Sequence, residues 1–138
     1  MNGLSRLVRE LNLPSIVQDV DPIFVIDDDA DIRDSLAEIL SDEGYSVRTF
    51  ANGAEALEYL RNDANASLII LDLMMPGMNG WAFREVQSHD ERLAGIPVIT
   101  ISAVADLDPP SPATPALCKP VDVDVLLDRV AEQVQHHH

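Results

Sequence analysis

Residues 67–80 read Ser67-Leu68-Ile69-Ile70-Leu71-Asp72-Leu73-Met74-Met75-Pro76-Gly77-Met78-Asn79-Gly80. Leu68 to Leu71 offer no polar face, so a strand built on them has to be covered on both sides. The run stops on a carboxylate, Asp72, and passes into a Pro-Gly turn that cannot extend it. Upstream, Ile23-Phe24-Val25-Ile26 behaves the same way and stops on Asp27-Asp28-Asp29. Together with 45–50, 97–102 and 116–118, the segments 23–27 and 67–72 make five strand candidates.

Helical periodicity fills the intervals. Ile32, Leu36, Ile39 and Leu40 form one apolar stripe, ended by Gly44. Asn52 followed by Glu55 resembles a capping box that opens a helix through Leu57 and Leu60. A third helix starts near Gly80 and carries Phe83 and Val86, with Trp81 and Phe83 as packing residues. A last one follows Asp122 as N-cap, with Val123, Leu126, Leu127, Val130 and Val134 on its stripe. Strand and helix alternate, which predicts an α/β protein with a doubly wound, five-stranded parallel sheet.

Two stretches interrupt that rhythm. In residues 1–21, an extension before the main domain at 22–135, Leu4, Leu7, Val8 and Leu11 suggest a short amphipathic helix stopped by Pro14. That helix could pack on the domain or on a twin. Between the fourth and fifth strands stand Pro109, Pro110, Pro112 and Pro115. Each proline inside a helix costs about 3 kcal/mol, so the helix of this connection is expected to be shortened or absent. His136, His137 and His138 look like a tag remnant and are set aside.

Composition narrows the function. The 138 residues suit one domain. Twenty-four acids against nine bases give a formal charge of −15, which disfavours nucleic acid and anionic membrane as partners. No apolar run is long enough to span a bilayer, and a single cysteine, Cys118, excludes an internal disulfide, so a cytoplasmic setting is expected. Cys118 itself reads as a small buried hydrophobe and His89 as a solvated residue. No phosphate-cradling glycine loop of the nucleotide-binding kinds is present.

In open parallel sheets, ligands bind beyond the carboxyl ends of the strands. There this chain collects Asp27, Asp28, Asp72, Ser102 and, after the fifth strand, Lys119, its only lysine. Two carboxylates about 5 Å apart repel by roughly 3 kcal/mol at an effective dielectric of 20. A hard divalent cation relieves that repulsion, and Mg²⁺ suits one or two carboxylates plus waters and a phosphate oxygen. With the metal and Lys119 supplying positive charge, such an edge is fit to receive a phosphoryl group on Asp72.

At these residues the chain resembles the receiver domains of two-component response regulators, in particular the single-domain, chemotaxis-type ones. The resemblance rests on Val25-Ile26-Asp27-Asp28-Asp29, on Asp72-Leu73-Met74-Met75-Pro76-Gly77-Met78-Asn79-Gly80, on Ser102-Ala103 and on Lys119-Pro120, in that order. It implies the flavodoxin-like strand order 2-1-3-4-5. It implies Asp72 as the phosphoacceptor, Asp28 as a direct Mg²⁺ ligand, Asp27 as its partner and the Met74 backbone carbonyl as a further ligand. Ser102 would donate to the phosphoryl group, Lys119 would pair with one of its oxygens, and the Lys119–Pro120 peptide would be cis. The implied partners are a sensor histidine kinase or histidine phosphotransfer protein and an unidentified downstream protein; a homodimer is left open. On this reading the chain is a signalling domain, not an enzyme, though it assists its own phosphotransfer and dephosphorylation. No effector domain follows the last helix, so the chain is expected to be stand-alone or cut from a larger protein.

Two features depart from the family pattern. An aromatic residue is usual three positions before the lysine, where this chain has Ala116. Only sixteen residues separate Ser102 from Lys119, and they are rich in proline. The chemistry should survive both changes, while transmission through the usual output surface should differ. Competing readings are a Mg²⁺-dependent phosphatase of the haloacid-dehalogenase type, which Asp27-x-Asp29 superficially fits, and a degenerate receiver acting only as a binding module. Asp72→Asn separates them: phosphate uptake is abolished if Asp72 is the acceptor, and uptake that persists in radiolabelled phosphodonor assays would point to an Asp27 nucleophile.

Overall fold

The computed structural model describes residues 21–62, 64–103 and 116–136. The expected N-terminal helix and the 104–115 part of the proline-rich connection lie outside them. In chain order the elements are β1 (Ile23–Ile26), α1 (Ala30–Asp42), β2 (Val47–Phe50), α2 (Gly53–Arg61), β3 (Leu68–Asp72), α3 (Gly80–Ser88), α4 (Glu91–Ala94), β4 (Val98–Ser102), β5 (Ala116–Cys118) and α5 (Val123–His136). The five strands form one parallel sheet in the order β2-β1-β3-β4-β5, the order implied by the resemblance.

Strand periodicity divides the core into two layers. Phe24 and Ile26 of β1, with Ile69 and Leu71 of β3, point to one face and pack with Ala56, Leu57 and Leu60 of α2 and Phe83 of α3. Their sequence neighbours Ile23, Val25, Leu68 and Ile70 point to the other, where Leu36 and Leu40 of α1 and Leu126 and Val130 of α5 cover them. Each of these fully buried aliphatic or aromatic side chains contributes about 1.5–3 kcal/mol relative to exposure. The central strands β1, β3 and β4 are buried at every position, whereas the edge strands β2 and β5 are not.

Edge position corrects one expectation. Cys118 is exposed rather than buried: β5 is three residues long and, among the described residues, pairs on one side only. Val123 is also exposed, at 42%: it opens α5 one turn before the helix reaches the sheet, so only Leu126 and Val130 of that stripe are fully covered.

Helix starts carry side-chain caps, the expected Asn52 and Asp122 among them. Asp29 accepts from the backbone N–H groups of Asp31 and Ile32, Asn52 from Glu55, Asn79 from Ala82 and Asp122 from Val125. The capping box is modified, since Glu55 reaches back to the Asn52 side-chain amide (3.1 Å). The short helix α4 was not legible in the apolar pattern. It is held by the buried Gln87, whose Nε2 donates to the carbonyls of Leu93 (2.9 Å) and Ile96 (3.1 Å). Arg92 on the same helix donates to the carbonyls of Leu60 and Ala64 and to Asn65 Oδ1, fastening the segment that leads into β3.

The loop from β3 to α3 is closely packed at Gly80. Gly77 has φ +75°, and at Gly80 a Cβ would stand 2.8 Å from the Leu73 Cα and 3.1 Å from the Asp72 carbonyl oxygen. The start of α3 can therefore lie against Asp72 only if residue 80 has no side chain. Gly80→Ala is expected to lower unfolding free energy by about 1–3 kcal/mol in urea titration, through overpacking of backbone that cannot yield. An unchanged midpoint would refute that close approach.

Candidate functional site

β1 and β3 are adjacent and parallel, so their carboxyl ends bring Asp27 and Asp72 together from positions 45 apart in sequence. One carboxylate oxygen from each of Asp27, Asp28 and Asp72 lies within 4.8 Å of the others. Asp27 and Asp72 are buried, at 0% and 2% exposure, and Asp28 faces solvent. The triple aspartate thus divides its labour. Asp29 caps α1, and its own N–H donates to Asp27 Oδ1 (2.9 Å). Because the Asp29 side chain is committed to that cap, the Asp27-x-Asp29 pair does not form a phosphatase-type acid pair.

Lys119 reaches this cluster from the end of β5. Its backbone N–H donates to the Ser102 carbonyl (2.7 Å), which fixes its position against β4, and the Lys119–Pro120 peptide is cis as expected. The ammonium lies 2.9 Å from Asp27 Oδ2 and 3.3 Å from Asp72 Oδ2. Ser102, the last residue of β4, is buried beside them. Met74 N–H donates to Asp72 Oδ1 (3.1 Å), so the chain after the acid turns back over it.

Sequence reasoning missed Arg33. Its Nη1 donates to the Asp27 carbonyl (2.7 Å), holding the loop that presents Asp27 and Asp28. The signal was weak, because an arginine one turn into an amphipathic helix reads as surface charge. Its spacing of six from Asp27 places it one turn above the loop only once the cap geometry is known.

The electrostatics follow from burial. Removal from water raises the Asp72 pKa to about 6; the Met74 N–H opposes this, the Asp27 charge adds to it and Lys119 opposes it. Burial acts to lower the Lys119 pKa, but its close contact with the Asp27 carboxylate and the negative charges of Asp72 and Asp27 outweigh that, and its pKa is raised. The Lys119–Asp27 contact is close without being an aligned hydrogen bond: Asp27 Oδ2 is buried and has no donor directed at it. An all-oxygen donor set with one such open oxygen fits Mg²⁺.

A pH dependence follows. The folded state holds the Asp72 proton more tightly than the unfolded chain does, so this group's contribution to stability is complete below about pH 4 and is lost as pH rises through about 6. In chelator, the melting temperature of the protein minus that of Asp72→Asn is expected to fall between pH 4 and 7, and millimolar Mg²⁺ should offset the fall. A difference that does not change with pH would refute the strained, buried Asp72.

The fold is shared with known proteins. The chain matches the family model described as "Response regulator receiver domain" over residues 23–131. It is 34% identical over 120 residues to the DNA-binding transcriptional regulator NtrC of Escherichia coli K12, an alignment covering 83% of this chain and 25% of NtrC. The transcriptional regulatory protein GltR of Pseudomonas aeruginosa is 40% identical over 85 residues, 61% of this chain and 34% of GltR. The chain therefore spans about a quarter to a third of the length of these curated relatives. Among solved structures, the response regulator TrrA of Thermotoga maritima, in complex with Mg²⁺–BeF, superposes with a TM-score of 0.72 at 31% identity, covering 83% of this chain and 99% of that one. A CheY-like receiver domain protein of Methanospirillum hungatei gives a TM-score of 0.76 at 28% identity over 86% of this chain and 97% of that one. What these proteins have in common with the chain is the unit at 23–131, and the chain belongs to the response regulator receiver domain family.

Proposed function

We propose that Asp72 accepts a phosphoryl group from the phosphohistidine of a sensor histidine kinase or histidine phosphotransfer protein, and that the phosphorylated domain switches a downstream protein–protein interaction. The observation that carries this is the buried Asp72 carboxylate with two further carboxylates within 4.8 Å and the ammonium of the chain's only lysine 3.3 Å away.

In the transfer, an Asp72 carboxylate oxygen forms a bond to phosphorus as the bond from phosphorus to the donor's imidazole nitrogen breaks. The electron pair leaves with that nitrogen, and the product is an acyl phosphate. Asp27, Asp28, Asp72 and the Met74 carbonyl would hold a Mg²⁺ ion, which would supply positive charge for the phosphoryl oxygens. Lys119 pairs with one of those oxygens, and the Ser102 hydroxyl donates to another. Arg33 holds the acid loop in place. Nothing in this scheme needs a separate substrate pocket, and the chain acts as a signalling domain rather than an enzyme.

A surface for the donor adjoins the site. Ile32, Leu36 and Ile39 of α1 line a cavity of about 510 Å³ together with Ala103, Pro120, Val121 and Lys119. This apolar groove suits a helix that carries the donor histidine, since it lets an amphipathic face bury itself beside Asp72. The domain is proposed to work in the cytoplasm; no helix among the described residues is long and apolar enough to cross a membrane. With a charge of −15, the domain itself is not expected to contact nucleic acid, whatever a longer protein containing it does. Ala116 leaves the usual aromatic relay without a side chain to move, so output is expected to run through other surfaces, a homodimer among them.

Incubation with Mg²⁺ and acetyl phosphate, followed by mass spectrometry of trapped peptides, should find one phosphoryl group, on Asp72. Lys119→Ala and Ser102→Ala should slow its appearance by roughly 10²-fold each. Absence of an adduct, or an adduct on another residue, would overturn the proposal.

A further inference from the structure

β2 stands first in the sheet order, so among the described residues only one of its edges is paired. Its ladder with β1 is parallel, and the N–H groups of Ile23 and Asp27 donate to the carbonyls of Ser46 (2.8 Å) and Phe50 (3.2 Å). In such a ladder both backbone groups of a residue point the same way and the direction alternates along the strand. Ser46, Arg48 and Phe50 therefore face β1, while Val47 and Thr49 turn N–H and C=O outward.

A cavity of about 640 Å³ lies along that outer edge. Val47, Arg48, Thr49 and Phe50 all line it. A pocket on one face of a sheet would meet only alternate residues; four consecutive ones are met along the edge itself. We propose that this edge docks an extended basic segment of a partner protein, which adds to the sheet as a sixth strand outside β2.

The charges favour that occupant. Edges are commonly guarded by proline, bulges or charge. Here Arg48 is the only charge on β2, and it is turned aside: its Nη1 donates to the Tyr59 hydroxyl (3.0 Å) and its guanidinium carbon lies 5.0 Å from the ring centroid. The wall of the groove is acidic. Glu55 and Glu58 stand one turn apart on α2, where like charges repel, and neither forms an ion pair among the described residues. Between them and the strand, Tyr59 is 40% exposed and packs edge-on against Phe50. A lysine or arginine of the guest could bring its charge to Glu58 at the groove wall. An acidic guest, or a second copy of this chain at −15, would meet like charge instead.

The full chain would be titrated with an acetylated, amidated peptide alternating lysine and valine, and with a glutamate–valine control, while backbone amide exchange is followed by NMR. The basic peptide is expected to slow exchange at Val47 and Thr49, and the acidic one to leave it unchanged. Glu58→Lys, on an exposed helix surface, should weaken the basic peptide by about tenfold or more. Thr49→Pro should also weaken it, by deleting an outward N–H that takes no part in the inner ladder. Equal binding of both peptides would overturn the proposal. So would an unchanged affinity in Glu58→Lys, perturbation centred on Pro120 and Val121, or a dimer protecting the same amides without peptide.

Discussion

Two carboxylates, Asp27 and Asp72, are withdrawn from water at the carboxyl ends of neighbouring strands, with one ammonium between them. Burying a charge is costly unless it is paired, and here a single lysine partners two acids. The shortfall is visible in Asp72, whose pKa is raised to about 6, and in Asp27 Oδ2, which has no aligned donor. A site left short of positive charge is one that gains from a cation and can then accommodate phosphoryl oxygens. Much of the fold can be understood as the framework that keeps this arrangement from relaxing.

That framework works by alternation. β1 and β3 divide their side chains between two helical layers, so neither strand can slip by one residue without exposing a face. Fixed register keeps Asp27 level with Asp72. β4 and β5 perform the same service for Ser102 and Lys119 through the backbone bond between them. Around the acids, the loops are held by short polar contacts: Asp29 on the start of α1, Arg33 on the Asp27 carbonyl, Met74 N–H on Asp72. Gly80 lets α3 begin almost in contact with Asp72.

The edges of the sheet have a different character. β5 is short, exposed and carries Ala116 where the family pattern places an aromatic, while β2, among the described residues, has an unpaired outer edge beside Glu55 and Glu58. The chemistry of the domain is thus concentrated at one end of a rigid centre, and its variable surfaces lie at the margins. Membership of the receiver family accounts for the first. What is particular to this chain is found in the second.

From the residues alone, the apolar runs, the acids that end them, the Asn52–Glu55 spacing and Asp122 ahead of an apolar stripe were sufficient to place strands, caps and the Asp72 loop. These signals are local, and local physics reports them directly: a run without a polar face has to be buried, and a side-chain oxygen before a helix has to meet its orphan N–H groups. The resemblance supplied the strand order, which no periodicity contains. Other features were decided only when distant segments met. Cys118 is exposed on β5, an edge strand among the described residues, Gln87 is buried because α4 folds back on it, and Arg33 belongs to the site because α1 rises over the Asp27 carbonyl. The perturbed Asp72 has the same origin. Its composition of neighbours could be read in sequence, but the degree to which they exclude water is a property of the assembled sheet, and desolvation is the largest influence on its charge.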